Sequence, residues 1–294
     1  MRVIDLLKEK KEKPVISFEF SRAKTEKAAL NLDKALDNLA KAKPDYVSVT
    51  FGAGGSTRDG SFQLVEKLKN EKKFNVAAYI AGVGLGPDDL TSVLDKFKAL
   101  GIETIFAIRG DEPQGDAEFK PDPDAKKYAS ELISFIRGKY DFCIGAAGYP
   151  EGHLEAESME KDIEYLKLKQ ENGAEYIVAQ YFYDNQFFYD YVDRCRAAGI
   201  TVPIIPGIMP IYTVKMTEML AKVCGTAIPD GVSQELAKIP SDDKGAIVQF
   251  GIDLATQQCR DLLKHGVDGL HFYTMNRSKS VITILDTLKN EGLL

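Results

Sequence analysis

A chain of 294 residues, 44% hydrophobic and 28% charged, has the composition of a soluble globular protein and can bury a large core, as one large domain or two ordinary ones. Its net charge of −6 excludes a basic nucleic-acid footprint, and the lysines of residues 8–13, interleaved with Glu9 and Glu12, read as a solvated helix end. Cys143, Cys195, Cys224 and Cys259 form no CxxC pair, which argues against a zinc or iron–sulfur site, and no apolar run suits a signal or membrane span; a cytoplasmic, soluble protein with reduced thiols is expected.

The predicted elements alternate. An amphipathic helix over residues 3–11 precedes Pro14 and the apolar run VISFEF (15–20), the first strand. A helix over 24–41 carries Ala28, Leu32, Ala35, Leu36 and Leu39 at helical spacing. YVSVTFGAGG (46–55) runs a second strand into a glycine-rich turn, and a helix follows over 58–70. NVAAYIAGVG (75–84) is the third strand, after which Pro87 and Asp88 start a helix ending near Gly101. TIFAIRGDEP (104–113) is the fourth, ended by Pro113, with its helix over 124–138. DFCIGAAGYPEGH (141–153) supplies the fifth strand and a loop, then a helix over 158–172 with Gly173 as C-cap. YIVAQYFYD (176–184) is the sixth strand, with a helix reaching Ala198. VPIIPGIMP (202–210) is the seventh, with a helix over 213–223. Residues 225–243 read as an irregular insertion ahead of a long helix over 245–265. GLHFYTMNRS (269–278) is the eighth strand, and a helix over 281–290 completes the series.

Eight strand-then-helix units without a low-complexity linker predict an α/β fold, a (β/α)8 TIM barrel forming a single domain over 1–294. GAGGS (52–56) follows the second strand and does not match GxGxxG, which disfavours a doubly wound sheet. In a barrel all eight C-terminal strand ends face one cavity. They supply Glu19, Thr50, Tyr79, Arg109 with Asp111, Tyr149 with His153, Gln180 with Tyr181, the Pro206-Gly207 turn, and Tyr273 with Arg277.

Glu19 interrupts an apolar strand, where an isolated carboxylate is costly to bury. Alternation puts Ser17 and Glu19 on one face and Phe18 and Phe20 on the other, and either set could face the interior. A carboxyl in an apolar site has a raised pKa and can act as a general acid near neutrality, whereas Asp111, after Arg109 and Gly110, is expected to serve as an anion. Of three histidines, His265 falls at a helix end and His271 inside a strand, which leaves His153 as the site candidate. Nothing has convincing metal-ligand spacing, so no catalytic metal is expected.

The ordered set SFEF (17–20), VSVTFGAGG (47–55), AIRGD (107–111), AAGYPEGH (146–153), AQYFYD (179–184), IIPGIMP (204–210) and HFYTMNR (271–277) resembles methylenetetrahydrofolate reductases over essentially the whole chain. The resemblance implies a flavin-bearing (β/α)8 barrel and a ping-pong reaction that delivers hydride to 5,10-methylenetetrahydrofolate, giving 5-methyltetrahydrofolate. On it, Glu19 matches the general acid and Asp111 the aspartate near flavin and pterin. Gln180, Tyr273 and Arg277 fall to the substrate. Thr50, Tyr79, Arg109, Gly110, Asp111, Ala147, Tyr149, His153, Asp162 and Lys169 fall to the flavin, FAD with FMN as the alternative.

The departures concern the electron donor. Ser21-Arg22-Ala23 follows SFEF where the family usually has Phe-Pro-Pro, Tyr79 stands where many members have histidine, and Val214 where NADH-using bacterial members have phenylalanine. Tyr165 and Leu168 replace polar and basic residues that help hold the adenosine end of FAD. These features imply NAD(P)H or a partner iron–sulfur protein or ferredoxin as donor, with a homo-oligomer left open. A non-redox, methyltransferase-like folate-binding barrel and a non-catalytic subunit of a larger complex are the competing readings.

Overall fold

The computed structural model describes residues 1–9, 13–51, 55–112 and 119–294, excluding the side chains of 55–58. Residues 52–54 of the predicted glycine turn and Pro113 lie outside the described residues. Eight parallel strands close in chain order: β1 (Val15–Phe20), β2 (Tyr46–Val49), β3 (Val76–Ala81), β4 (Thr104–Ile108), β5 (Cys143–Gly148), β6 (Tyr176–Tyr181), β7 (Ile204–Ile208) and β8 (Gly269–Tyr273), with β8 pairing back onto β1. This is a (β/α)8 barrel.

Helices α2 (Glu26–Ala40), α3 (Gly55–Asn70), α4 (Pro87–Ala99), α5 (Ala129–Lys139), α6 (Met159–Glu171), α7 (Asn185–Ala197) and α8 (Val214–Cys224) follow the first seven strands. Leu32, Leu36 and Leu39 of α2 bury the predicted stripe, and Thr25 caps its start by accepting from the Ala28 amide at 3.2 Å. Gly173 follows the α6 C-cap, Asn172, at φ 116°, a conformation glycine adopts without a Cβ penalty. Helix α5 starts five residues later than expected. Pro121 and Pro123 lack the amide donor a helix uses, and Asp122 holds a turn instead, its side chain accepting from the Asp124 amide at 2.8 Å and its carbonyl from the Ala125 amide at 3.0 Å.

The 225–243 stretch is a correction. It contains the helix α9 (Asp230–Lys238), which precedes α10 (Lys244–Lys264) and α11 (Lys279–Asn290). Gly231 and Ser233 weaken its local signal, and Leu236 is its one buried side chain, so the apolar stripe was too short to register as periodic.

Every strand is buried on both faces. Phe18, Phe20, Val47 and Val49 point outward to the helices, whereas Val15, Tyr46, Tyr79, Phe106, Tyr176 and Val178 fill the interior. Beneath them α1 (Val3–Glu9) closes the N-terminal end of the barrel, burying Val3, Ile4 and Leu7 against that interior cluster. The Val3 amide donates to Thr104 Oγ1 at 3.1 Å, and Arg2 reaches both carboxylate oxygens of Glu175 at 2.9 Å. Among the described residues no helix is long and apolar enough to cross a membrane.

Candidate active site

With the lower end closed, the C-terminal strand ends carry the chemistry. Register resolves the face of Glu19: it pairs across to Ser48 and Tyr273, and Ser17 one step below reaches His271 Nδ1 at 2.8 Å, so Ser17 and Glu19 are interior and Phe18 and Phe20 exterior. The Tyr79 hydroxyl donates to Glu19 Oε2 at 2.7 Å. Tyr79 is itself held by stacking on Phe106, with ring centroids 4.5 Å apart. Burial pushes the Glu19 carboxyl up to about 7, against the smaller opposing effect of the Tyr79 bond. His271, inside β8, is fully buried, and burial pushes its imidazole down to about 3.

Beyond β4, Gly110 adopts φ +80°, where any side chain is strained, and a Cβ there would stand 2.7 Å from Ala81 Cβ and 2.8 Å from Val83 Cγ1. The tight approach follows from the loops being joined: the Val83 amide donates to the Arg109 carbonyl at 2.9 Å. Arg109 forms a two-pronged ion pair with Glu155, with Nη2 to Oε1 at 3.0 Å, and lies 3.8 Å from Asp111. The Asp111 side chain is 95% exposed at the rim.

The β5 loop and α6 build a second wall. Lys169 Nζ donates to the Ala147 carbonyl at 2.9 Å and sits 5.7 Å from the Tyr149 ring centre. Tyr149 meets His153 edge-on at 4.7 Å. The His153 amide donates to Asp162 Oδ2 at 3.3 Å, and its Nδ1 accepts from the Glu155 amide at 3.1 Å, so the neutral ring carries its proton on Nε2. Burial lowers His153 and Lys169 and raises Asp162, and the mutual attraction of Lys169 and Asp162 opposes the shift of each.

The remaining strand ends complete the ring. Gln180 Oε1 accepts from the Tyr181 amide at 3.1 Å, and the Tyr273 hydroxyl donates to the Ala179 carbonyl at 3.2 Å. The half-buried Thr50 is tied to β1 through its amide, which donates to Phe20 at 3.0 Å. Arg277 is exposed and lies 4.9 Å over the Tyr212 ring. Glu19, Tyr79 and Tyr273 thus share the floor, while Arg109, Ala147, Tyr149, His153, Asp162 and Lys169 form one wall. Asp111 and Arg277 stand at the rim.

Against this geometry, a family model described as methylenetetrahydrofolate reductase matches residues 3–289. The chain belongs to the methylenetetrahydrofolate reductase family. It is 36% identical over 301 residues to methylenetetrahydrofolate reductase (NADH) 1 of Arabidopsis thaliana, covering 98% of this chain and 51% of that protein. It is 34% identical over 273 residues to the 5,10-methylenetetrahydrofolate reductase of Escherichia coli K12, covering 93% of this chain and 90% of that one. The chain therefore spans about half the length of the plant and fission-yeast relatives and most of the bacterial one. Among solved structures, an uncharacterized Clostridium thermocellum protein that binds two copies of 5-methyl-5,6,7,8-tetrahydrofolic acid superposes with a TM-score of 0.65 at 17% identity, covering 98% of this chain and 99% of that one, which shows the shared fold.

Several site residues of this family member were not singled out by sequence reasoning. Glu155 engages Arg109 across 46 positions, and Thr274 and Asn276 fasten β8 to β1. Glu151 accepts from the Ala227 amide at 2.8 Å, while its buried Oε1 has no hydrogen-bond partner among the described residues. Glu151 lines a crevice with Tyr149, Gln180, Tyr181 and Cys224. Glu151 lay in the quoted AAGYPEGH motif, but nothing in sequence shows an orphaned oxygen.

Proposed function

We propose that the chain reduces 5,10-methylenetetrahydrofolate to 5-methyltetrahydrofolate with a bound flavin, FAD or FMN. The observation that carries this reading is Glu19, a carboxyl enclosed at the strand ends, hydrogen-bonded by Tyr79 and poised near 7. The wall suits a flat, electron-poor ring with an anionic tail. It offers the Tyr149 face, the cations Arg109 and Lys169, the His153 Nε2 donor, and the bare Gly110 backbone. Thr50, Tyr79, Ala147 and Asp162 would complete that holding set, and Gln180, Tyr273 and Arg277 would hold the folate. When bound, the flavin supplies hydride transfer.

The protein's own part is proton placement and charge. Below about pH 7 Glu19 holds a proton and can give it to a folate nitrogen as the methylene bridge opens; the carboxylate left behind keeps the Tyr79 hydroxyl as a donor. Asp111 supplies negative charge at the rim as the substrate becomes an iminium cation. Tyr79→Phe removes the bond that favours ionised Glu19, so the alkaline limb of the folate half-reaction moves to higher pH. A limb that stays in place or moves down in stopped-flow pH profiles contradicts this. Arg109→Ala is expected to weaken flavin binding by about tenfold or more, read by fluorescence titration of the flavin-free protein.

Val214 begins α8 with an aliphatic side chain, which supports an electron donor other than free NADH, such as a partner iron–sulfur protein or ferredoxin. The deciding experiment is anaerobic: flavin reduction by NADH, NADPH and a reduced low-potential dye is compared, and methylenetetrahydrofolate is then added. Folate-driven reoxidation after dye reduction alone supports both the reductase and the partner. Rapid reduction by NADH removes the need for a partner. No reoxidation with any donor refutes the reductase reading.

A further inference from the structure

Four non-glycine residues among those described have positive φ: Lys43, Lys73, Met275 and Asn276. Only the last two are adjacent, at 50° and 56°, between β8 and α11 above the cavity. Two consecutive left-handed residues, one of them methionine, persist only where surrounding contacts over-determine them. Here the contacts run to β1. The Thr274 hydroxyl donates to the Glu19 carbonyl at 2.6 Å and accepts from the Asn276 amide at 3.1 Å. The Asn276 side chain accepts from the Ser21 amide at 3.0 Å and donates to the Ser21 carbonyl at 2.8 Å and hydroxyl at 3.2 Å. The last of these bonds depends on the serine that departs from the Phe-Pro-Pro pattern. On the other side, the Thr274 carbonyl accepts from the Arg277 amide at 2.9 Å and the Tyr212 hydroxyl at 3.0 Å, and Tyr212 supports the Arg277 guanidinium.

We propose that Asn276 and Thr274 are positioning residues that bolt the Glu19 peptide to the loop carrying Arg277, so that acid and guanidinium meet the folate at one fixed separation. The assignment rests on the proposed reductase function for the role of Glu19 and Arg277, but the clamp is a property of the chain itself. It acts through the backbone of residues 19–21, and neither side chain has to touch substrate. Fixing a reacting group to within a fraction of an ångström is worth up to about a hundredfold in rate.

The test separates strain from positioning. Asn276→Gly keeps the left-handed backbone at no steric cost and removes all three side-chain bonds. In the flavin-loaded full chain it is expected to slow folate-driven reoxidation about 30-fold while leaving dye reduction of the flavin unchanged. A rate within about threefold of the parent chain overturns the proposal, because asparagine would then serve only the turn. Thr274→Val and Thr274→Ser provide a second arm should Asn276→Gly fail to fold: serine is expected to match the parent and valine to be slowed, and equal behaviour of the two overturns the proposal. A third readout needs no folate chemistry. The infrared carboxyl band of Glu19, identified by its loss in Glu19→Gln, should be sharp in the parent and in Thr274→Ser, and broadened in Asn276→Gly and Thr274→Val. If the parent shows no folate-driven reoxidation, the reductase reading falls and this band judges the clamp; an unchanged band overturns it.

Discussion

Glu19→Gln is expected to slow the folate half-reaction by about 10²- to 10⁴-fold while leaving reduction of the flavin by its donor within a few-fold of the parent. The amide keeps the size of the carboxyl and can still accept from Tyr79, but has no proton to give. Rapid-mixing traces of the two half-reactions measure each separately, and equal slowing of both would show that Glu19 serves flavin binding instead. In the parent, the half-reaction should fall as pH rises through about 7, because the acid form is the competent one. Stability carries the same sign. Folded Glu19 holds its proton to about 7, whereas the ordinary value is 4.5, so the contribution complete below 4.5 is lost as pH rises through 7. The glutamine variant escapes that loss. Its melting temperature should match the parent at pH 4 and exceed it by a few degrees at pH 8.

Gly207→Ala is expected to destabilise the fold by about 3 kcal/mol and to impair the site together with it. Gly207 lies in β7 beside Tyr181, at the register irregularity between β6 and β7. An added Cβ would stand 2.6 Å from Tyr273 Cε2 and closer still to the Ala179 carbonyl, the same group that accepts from the Tyr273 hydroxyl. Backbone cannot yield as a flexible side-chain tip can, so the strands must part or Tyr273 must leave its place. Urea denaturation measures the loss. Gly138→Ala is the matched control: among the described residues, nothing beyond the helix's own backbone and the adjoining residues comes within 4 Å of the added methyl, and helix propensity predicts a gain of about 0.5–1 kcal/mol. Similar midpoints for the two variants would contradict the steric argument.

The barrel was legible because the strands are apolar runs, most of them rich in β-branched or aromatic residues and punctuated by glycine or proline, and because most helices, α9 excepted, carry an apolar stripe. The face of Glu19 was not. Period-2 alternation distinguishes the two faces only when one of them is wet, and here Phe18 packs outward among helices while Ser17 packs inward against His271. Family resemblance named Tyr79 as a position near the flavin; its bond to Glu19, 60 residues away, needed the closed barrel. The Arg109–Glu155 pair is likewise a product of loops meeting in space. Asn276 sat unremarked inside a quoted motif, because backbone handedness at a non-glycine residue leaves little trace in sequence.

The helix beneath the barrel has a kinetic consequence. α1 is the first element of the chain, yet its partners Thr104 and Glu175 belong to β4 and the approach to β6. Val3, Ile4 and Leu7 therefore remain without their burial site until roughly 170 residues later in the chain have organised, well after β1 and β2 can pair. During that interval the segment is an exposed apolar handle, open to chaperones and to mispairing. Its docking waits on β4 and the approach to β6, so the foundation of the barrel is laid after its first strands.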